Sequence, residues 1–185
     1  MPTRTDWLAG GDRGTLAAAR IERTAAALFA ERGLDNVSVA DVAAAAGCSR
    51  ATLYRHVGSK SELVTAVLTK AARTVTARVE ASVQRYQGHR RVVEVVLASV
   101  AAIRADPVLA QWLSRSGGAA TDEFRDATPQ LGRIAGTLTD LGPDDEAAQW
   151  LVRVVLSLLS WPLPDAAAER RAVERFVAPV LAARR

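Results

Sequence analysis

Apolar residues recur along this chain at intervals of three and four positions, and Val/Ile/Thr alternation never persists long enough to suggest a sheet, so the pattern predicts an all-α protein. A first helix is predicted from about Thr15 to Arg32, with Ile21, Ala25, Leu28 and Phe29 as its buried stripe and Gly33 as its stop. Ser38 caps a short second helix that carries Asp41 at its third position, and Gly47 ends it. Ser49 caps a third helix reaching about His56, after which Gly58-Ser59 breaks and recaps the chain. The fourth helix is long, from about Lys60 to Tyr86, with Leu63, Val67, Ala71, Val75, Val79 and Val83 on one i,i+4 line. Further helices are predicted at about 90–104, 107–115, 122–140, 144–160 and 165–183, punctuated by Pro107, Gly117-Gly118, Gly142-Pro143 and Pro162/Pro164. Pro129 is expected to kink or split the third of these. Residues 1–13, with Gly10-Gly11, read as a flexible arm; 14–61 read as one small domain and 62–185 as a second, larger one.

One stretch stands apart in charge. GCSRATLYRHVGSK, residues 47–60, holds Arg50, Arg55, His56 and Lys60 and no acid; the nearest acids are Asp41 and Glu62. Two short helices joined by a tight glycine turn form a helix-turn-helix, whose second helix enters the DNA major groove. Val42, Ala46, Cys48, Leu53 and Val57 can face inward to hold the pair together, and Ala43 is small where a neighbouring helix must approach. Arg50, Ala51, Tyr54 and Arg55 remain for the outer face, where cations meet phosphates and base edges.

These residues also carry a family resemblance. SVADVAAAAGCSRATLYRHVGSKSELV, residues 38–64, resembles the DNA-binding signature of the tetracycline-repressor (TetR) family of bacterial transcription regulators. The shared positions are Ser38, Val42-Ala43, Ala46-Gly47, Ser49, Thr52-Leu53-Tyr54, His56-Val57 and Ser59-Lys60. Cys48, Ala51 and Val57 depart from the usual valine, glycine or proline, and phenylalanine, and Cys48 and Val57 keep the apolar character. The resemblance implies a head of three helices joined by a long helix to a C-terminal ligand-binding and dimerisation bundle. It implies DNA contacts from Ser38, Ser49, Arg50, Ala51, Thr52, Tyr54, Arg55, His56 and Lys60. Arg50 takes the place of a base reader, since its fork suits guanine O6 and N7. Ser38, Thr52, Tyr54, His56 and Lys60 take the places of phosphate contacts, and Arg55 is either a phosphate contact or a solvated cation.

The 144–160 helix is apolar almost all round, with only Gln149, Arg153 and Ser157 on a polar line. Such a helix must be buried on most sides, within one domain or, more easily, at a subunit interface. In proteins this chain resembles, the last two helices of each subunit form a four-helix dimer bundle, which makes Leu151, Val155, Leu158, Val173, Phe176, Val177 and Val180 the expected interface. The middle helices leave two readings of their apolar residues, a filled core or a lipophilic cavity between helices. The resemblance favours the cavity, lined by Tyr86, Ile103, Arg104, Trp112, Phe124, Leu131 and Trp150.

Composition narrows the alternatives. The 185 residues are 49% hydrophobic and 24% charged, an ordinary globular balance. The net charge of +4 is compatible with nucleic acid but is not concentrated in the head. One cysteine excludes an internal disulfide and fits a reducing compartment. The start lacks the apolar core of a signal peptide and no apolar run reaches membrane-spanning length, so a cytoplasmic location is expected. There is no nucleotide-binding glycine motif, metal-ligand cluster or nucleophile–His–acid set, so no catalytic residue, metal or cofactor is expected. The reading that follows is a homodimeric repressor released from a palindromic DNA operator by a small lipophilic effector. An architectural DNA-binding protein without a small ligand, or an enzyme built on the C-terminal bundle, are the rival classes.

Overall fold

The computed structural model describes the backbone of residues 6–115, 122–139, 141, 146–177 and 179, and the side chains of 14–114, 131–139, 141, 146–177 and 179. Among the described residues all regular structure is helical, as the sequence pattern requires: α1 (Asp6–Arg32), α2 (Val39–Ala46), α3 (Arg50–Val57), α4 (Lys60–Val83), α5 (Gly88–Ala105), α6 (Pro107–Arg115), α7 (Asp122–Thr139), α8 (Glu146–Ser160) and α9 (Ala166–Phe176). The chain divides into two compact units, Met1–Ala71 and Ala72–Arg185, so the division falls inside α4, further along than the expected 61/62 boundary.

In the first unit α1, α2 and α3 pack against one another in all three pairings. The stripe read from α1 is the buried one: Ile21, Ala25, Leu28 and Phe29 are buried, and Leu53 of α3 is completely so. Val42, Ala43 and Ala46 bury the inner face of α2. Burying the larger of these, Ile21, Leu28, Phe29, Val42 and Leu53, stabilises by about 1.5–3 kcal/mol each, which is what holds two eight-residue helices that would not persist alone. Gly33, at φ 82°, ends α1 by donating its N–H to the Phe29 carbonyl at 2.9 Å.

Two boundaries differ from expectation here. α1 begins at Asp6 rather than Thr15, so residues 6–13 are helical where an arm was expected. Gly10, Gly11 and Gly14 lower helix propensity by about 1 kcal/mol each but remove no backbone donor, so the ladder continues through them. α4 ends at Val83 rather than Tyr86, whose N–H closes a turn onto the Val83 carbonyl at 2.9 Å.

In the second unit α5 is the central helix, packed on α6, α7, α8 and α9. Its run Val92, Val93, Val95, Val96 and Val100 is buried on more than one face for that reason. Val92, Val93 and Val96 join Ala147 and Leu151 of α8 and Val173 and Val177 at the end of α9 in one apolar cluster. α7 lies closely on α8: Gly132 is buried, and a Cβ there would come within 3.1 Å of the Gln149 Cγ. α7 is not split at Pro129 but runs through it as a single element. A proline takes one hydrogen bond out of the ladder, and α7, packed on α8 and α5, continues past it. α9 spans Ala166–Phe176, and most of the expected continuation to 183, Val180 included, lies outside the described residues.

Candidate nucleic-acid interface

Three serine caps shape the helix-turn-helix. Ser38 and Asp41 form a reciprocal box: the Asp41 N–H donates to the Ser38 hydroxyl at 3.2 Å, and the Ser38 N–H donates to the Asp41 carboxylate at 2.8 Å. Ser49 accepts from the Thr52 N–H at 3.1 Å and shares a hydroxyl–hydroxyl bond with Thr52 at 2.9 Å. Ser59 and Glu62 repeat the box at the start of α4, with the Ser59 N–H donating to Glu62 at 2.7 Å and the Glu62 N–H returning to Ser59 at 3.2 Å. The Ser59–Glu62 box was missed by the sequence reading, although Ser59-Lys60-Ser61-Glu62 is a readable S-x-x-E signature.

Two glycines set the turns. Gly47 sits in the left-handed region (φ 69°, ψ 38°) and closes α2, its own N–H bonding the Ala44 carbonyl and the following Cys48 N–H bonding that of Ala43. Gly58, at φ 73° and ψ −144°, occupies backbone space that other residues avoid, and a Cβ there would strike the Glu62 carboxylate.

The electrostatic consequence is specific. The Ser38 hydroxyl, then its backbone N–H, hold the Asp41 carboxyl below the usual carboxylate range, with smaller help from the charges of Arg32 and Arg50. The Ser59 N–H and hydroxyl do the same for Glu62. The two acids nearest the basic stretch are therefore engaged with helix ends, where a negative charge favours the exposed amides. α3 itself has no acid in its first turn, and Arg55 and His56 stand in its last.

The expected DNA-contacting residues lie on α3, at its cap or just past its end, except Ser38, which caps α2. Arg50, Ala51, Tyr54 and Arg55 are exposed, while Thr52, His56 and Lys60 are half-buried. The side chains of Arg50, Tyr54 and Arg55 make no hydrogen bond or ion pair with another described residue. Ser38 and Ser49 are exposed, but their hydroxyls are occupied as caps. A phosphate contact by either must share an atom already in use. Cys48 is a half-buried free thiol at the turn.

The pocket residues are not assembled as expected. Two guanidinium groups stand close to the Tyr86 ring, Arg85 and Arg90 at 4.9 and 5.1 Å from its centre, and Arg85 donates to its hydroxyl at 2.8 Å. That surrounding is cationic rather than lipophilic. Arg104 is not a free polar handle: it makes a two-pronged bond to Glu169 of α9 at 2.7 and 3.0 Å and donates to the Leu158 carbonyl at 2.8 Å. Glu169 is almost fully buried and was not singled out by the sequence, because nothing local marks a residue whose partner lies 65 positions away. Trp150 is on the surface, Ile103, Trp112 and Leu131 are half-buried, and the Phe124 side chain lies outside the described residues.

The expected interface residues also separate. Leu151, Val173 and Val177 belong to the unit's own apolar cluster, so they present no surface to a partner. Val155 and Leu158 pack against that cluster while half-exposed, and Phe176 is 63% exposed. Trp161, at 78%, and Leu163 add to the exposed apolar surface around α8 and α9.

A three-helix head with a glycine turn, capped helices and an exposed cationic second helix defines the class: a helix-turn-helix DNA-binding protein. Residues 21–67 match the family model for bacterial regulatory proteins of the tetR family. Over 184 aligned residues, 96% of this chain and 91% of the relative, the chain is 33% identical to an uncharacterized HTH-type transcriptional regulator of Mycobacterium tuberculosis H37Rv. Among solved structures, the TetR family repressor AlkX from Dietzia sp. superposes with a TM-score of 0.62 at 21% identity, covering 89% of this chain and 94% of that one. RolR, solved in complex with resorcinol, gives 0.61 at 22% identity over 95% and 97%. AibR, solved with isovaleryl coenzyme A and operator DNA, gives 0.50 at 19% over 88% and 98%. The chain belongs to the tetR family: it is a DNA-binding transcriptional regulator, not an enzyme. Among the described residues, no helix is long and apolar enough to cross a membrane.

Proposed function

We propose that the protein is a homodimeric repressor that α3 docks into the major groove of a palindromic operator and that a small, largely apolar effector releases. The observation that carries the DNA half of this reading is the exposed face of Arg50, Tyr54 and Arg55, which holds no acid and whose side chains form no hydrogen bond or ion pair with a described residue. Arg50 reads base edges, while Thr52, His56 and Lys60 meet phosphates. Residues 14–61 form the DNA-binding part and 62–185 the effector and dimerisation part. α4 contributes to both, so a shift of this helix changes how two heads meet half-sites one helical turn apart. RolR and AibR were solved with small ligands, which supports an effector here as well. Ile103 and Leu131 are expected lining residues that are half-buried in the second unit. Dimerisation uses the exposed apolar surface of α8 and α9, centred on Phe176 and Trp161.

Selection from random DNA with the purified chain tests the reading. The expected product is a palindrome, and Arg50→Ala is expected to relax one base position at a cost of about 1–3 kcal/mol. Lys60→Ala is expected to weaken all sequences alike and to flatten the salt dependence. Selection of no sequence, or of the same half-site by Arg50→Ala, would overturn the assignment. Effectors are sought by thermal shift, and each hit is expected to lower operator affinity with a coupling of about 1–3 kcal/mol.

A further inference from the structure

α1 places a guanidinium against the α2–α3 turn. Arg20 is exposed, and its Nη2 lies 3.5 Å from where a Cβ on Gly47 would stand. That is an ordinary contact distance, so Gly47 is required by its φ of 69°, and Arg20 simply rests over the turn it makes. The Arg20 side chain has no hydrogen-bond or ion-pair partner among the described residues, and the Thr24 hydroxyl donates to its backbone carbonyl at 3.0 Å. Glu22, next along α1, faces Lys70 at 3.6 Å, and Asp41 of α2 is held by Ser38. The guanidinium therefore stands two residues ahead of the α3 cap with no neutralising acid.

A solvated surface arginine is the ordinary fate of such a residue, and two features set this one apart. α3 is eight residues long, about 12 Å at 1.5 Å per residue, and a major groove about 12 Å wide that admits it brings a phosphate strand along each wall. Cations then stand beside both ends of α3, Arg20 near its start and Lys60 just past its end, where those strands run. A planar guanidinium can also hold a phosphate through two parallel bonds, which a point charge cannot. We infer that Arg20, from outside the helix-turn-helix itself, is a phosphate-contacting residue of the operator interface, gripping the backbone beside the N-terminal end of α3. The inference rests on α3 being the reading helix.

The test titrates the duplex selected by the wild-type chain at several salt concentrations, with Arg20→Ala, Arg20→Lys and, as a net-charge control, Arg133→Ala. Arg133 is an exposed cation on α7. Arg20→Ala is expected to keep the selected half-site but reduce the salt slope by about one. Its affinity then falls about threefold less than wild type between 50 and 200 mM salt. Arg20→Lys is expected to restore most of the slope, and Arg133→Ala to match wild type. An Arg20→Ala slope equal to that of wild type and Arg133→Ala overturns the role of Arg20, as does a changed half-site, which would make it a base reader. A wild-type chain that selects no duplex overturns the repressor reading and this inference together, whereas a flat Arg50→Ala result alongside the expected Arg20→Ala result removes only the role of Arg50.

Discussion

The two units of the chain are held in contrasting ways. In the first, the polar contacts that shape the helix-turn-helix span three residues each: Ser38 with Asp41, Ser49 with Thr52, Ser59 with Glu62. In the second, the polar contacts that fasten the helices are long in sequence. Arg104 of α5 reaches Glu169 of α9, Arg170 of α9 returns to Glu94 of α5 at 2.8 and 3.0 Å, and Arg91 donates to the Leu138 carbonyl of α7 at 2.6 Å. α5 and α9 are thus joined by two arginine–carboxylate pairs running in opposite directions. A locally wired segment presents one fixed surface to a ligand, whereas a unit wired across distant helices can change several contacts together when one helix moves.

The strongest way to break this contrast is to remove the head's apolar centre. Leu53→Ala is expected to destabilise by about 3 kcal/mol in urea unfolding, because Leu53 is completely buried between α3 and its neighbours. A loss nearer 1 kcal/mol would mean that the caps alone carry the head. Next comes Glu169→Ala, which leaves Arg104 facing an empty site. Fully buried pairs lose about 3–5 kcal/mol when one partner is removed, but Arg104 is 39% exposed and can regain water, so about 2 kcal/mol is expected. A double-mutant cycle with Arg104→Ala isolates the pair, and no coupling would refute the long-range wiring.

Gly58→Ala is expected to cost about 1–2 kcal/mol from its backbone conformation, read by thermal unfolding. Ser38→Ala is expected to cost about 1 kcal/mol through the lost cap. The smallest effect is on pH dependence. Asp41 and Glu62 have depressed pKa values, so their contribution is fully present above the ordinary carboxylate value of about 4 and is lost as pH falls through the depressed values. Glu94 titrates in the same direction because the Arg170 hydrogen bond lowers it. Ser38→Ala should therefore blunt the acid limb of the stability curve, and an unchanged limb would separate Asp41 from the cap.

The same contrast explains what could be read from the amino acids. Gly47, Ser38 and Ser49 carry their meaning in one residue and its near neighbours, so the turn, the caps and the exposed side of α3 were legible. The one miss nearby, the Ser59–Glu62 box, had an equally local signature. Glu169 looks like any acidic residue of an amphipathic helix until α5 is folded against it. Leu151 and Val173 were assigned to a partner because an apolar helix says only that it is covered, not by which chain. The early start of α1 escaped notice because adjacent glycines lower helix propensity without forbidding the helix.

The independence of the α3 surface from its supports has a consequence for descent. The side chains of Arg50, Ala51, Tyr54 and Arg55 are exposed and form no hydrogen bonds or ion pairs with other described residues, while Leu53, Gly47, Gly58 and the serine caps hold the helix in place. Substitutions at the outward positions meet little resistance from folding, since surface changes away from structural contacts usually alter stability by no more than about 0.5 kcal/mol. On the proposed reading of this face, target preference can change by substitution while the head keeps its shape.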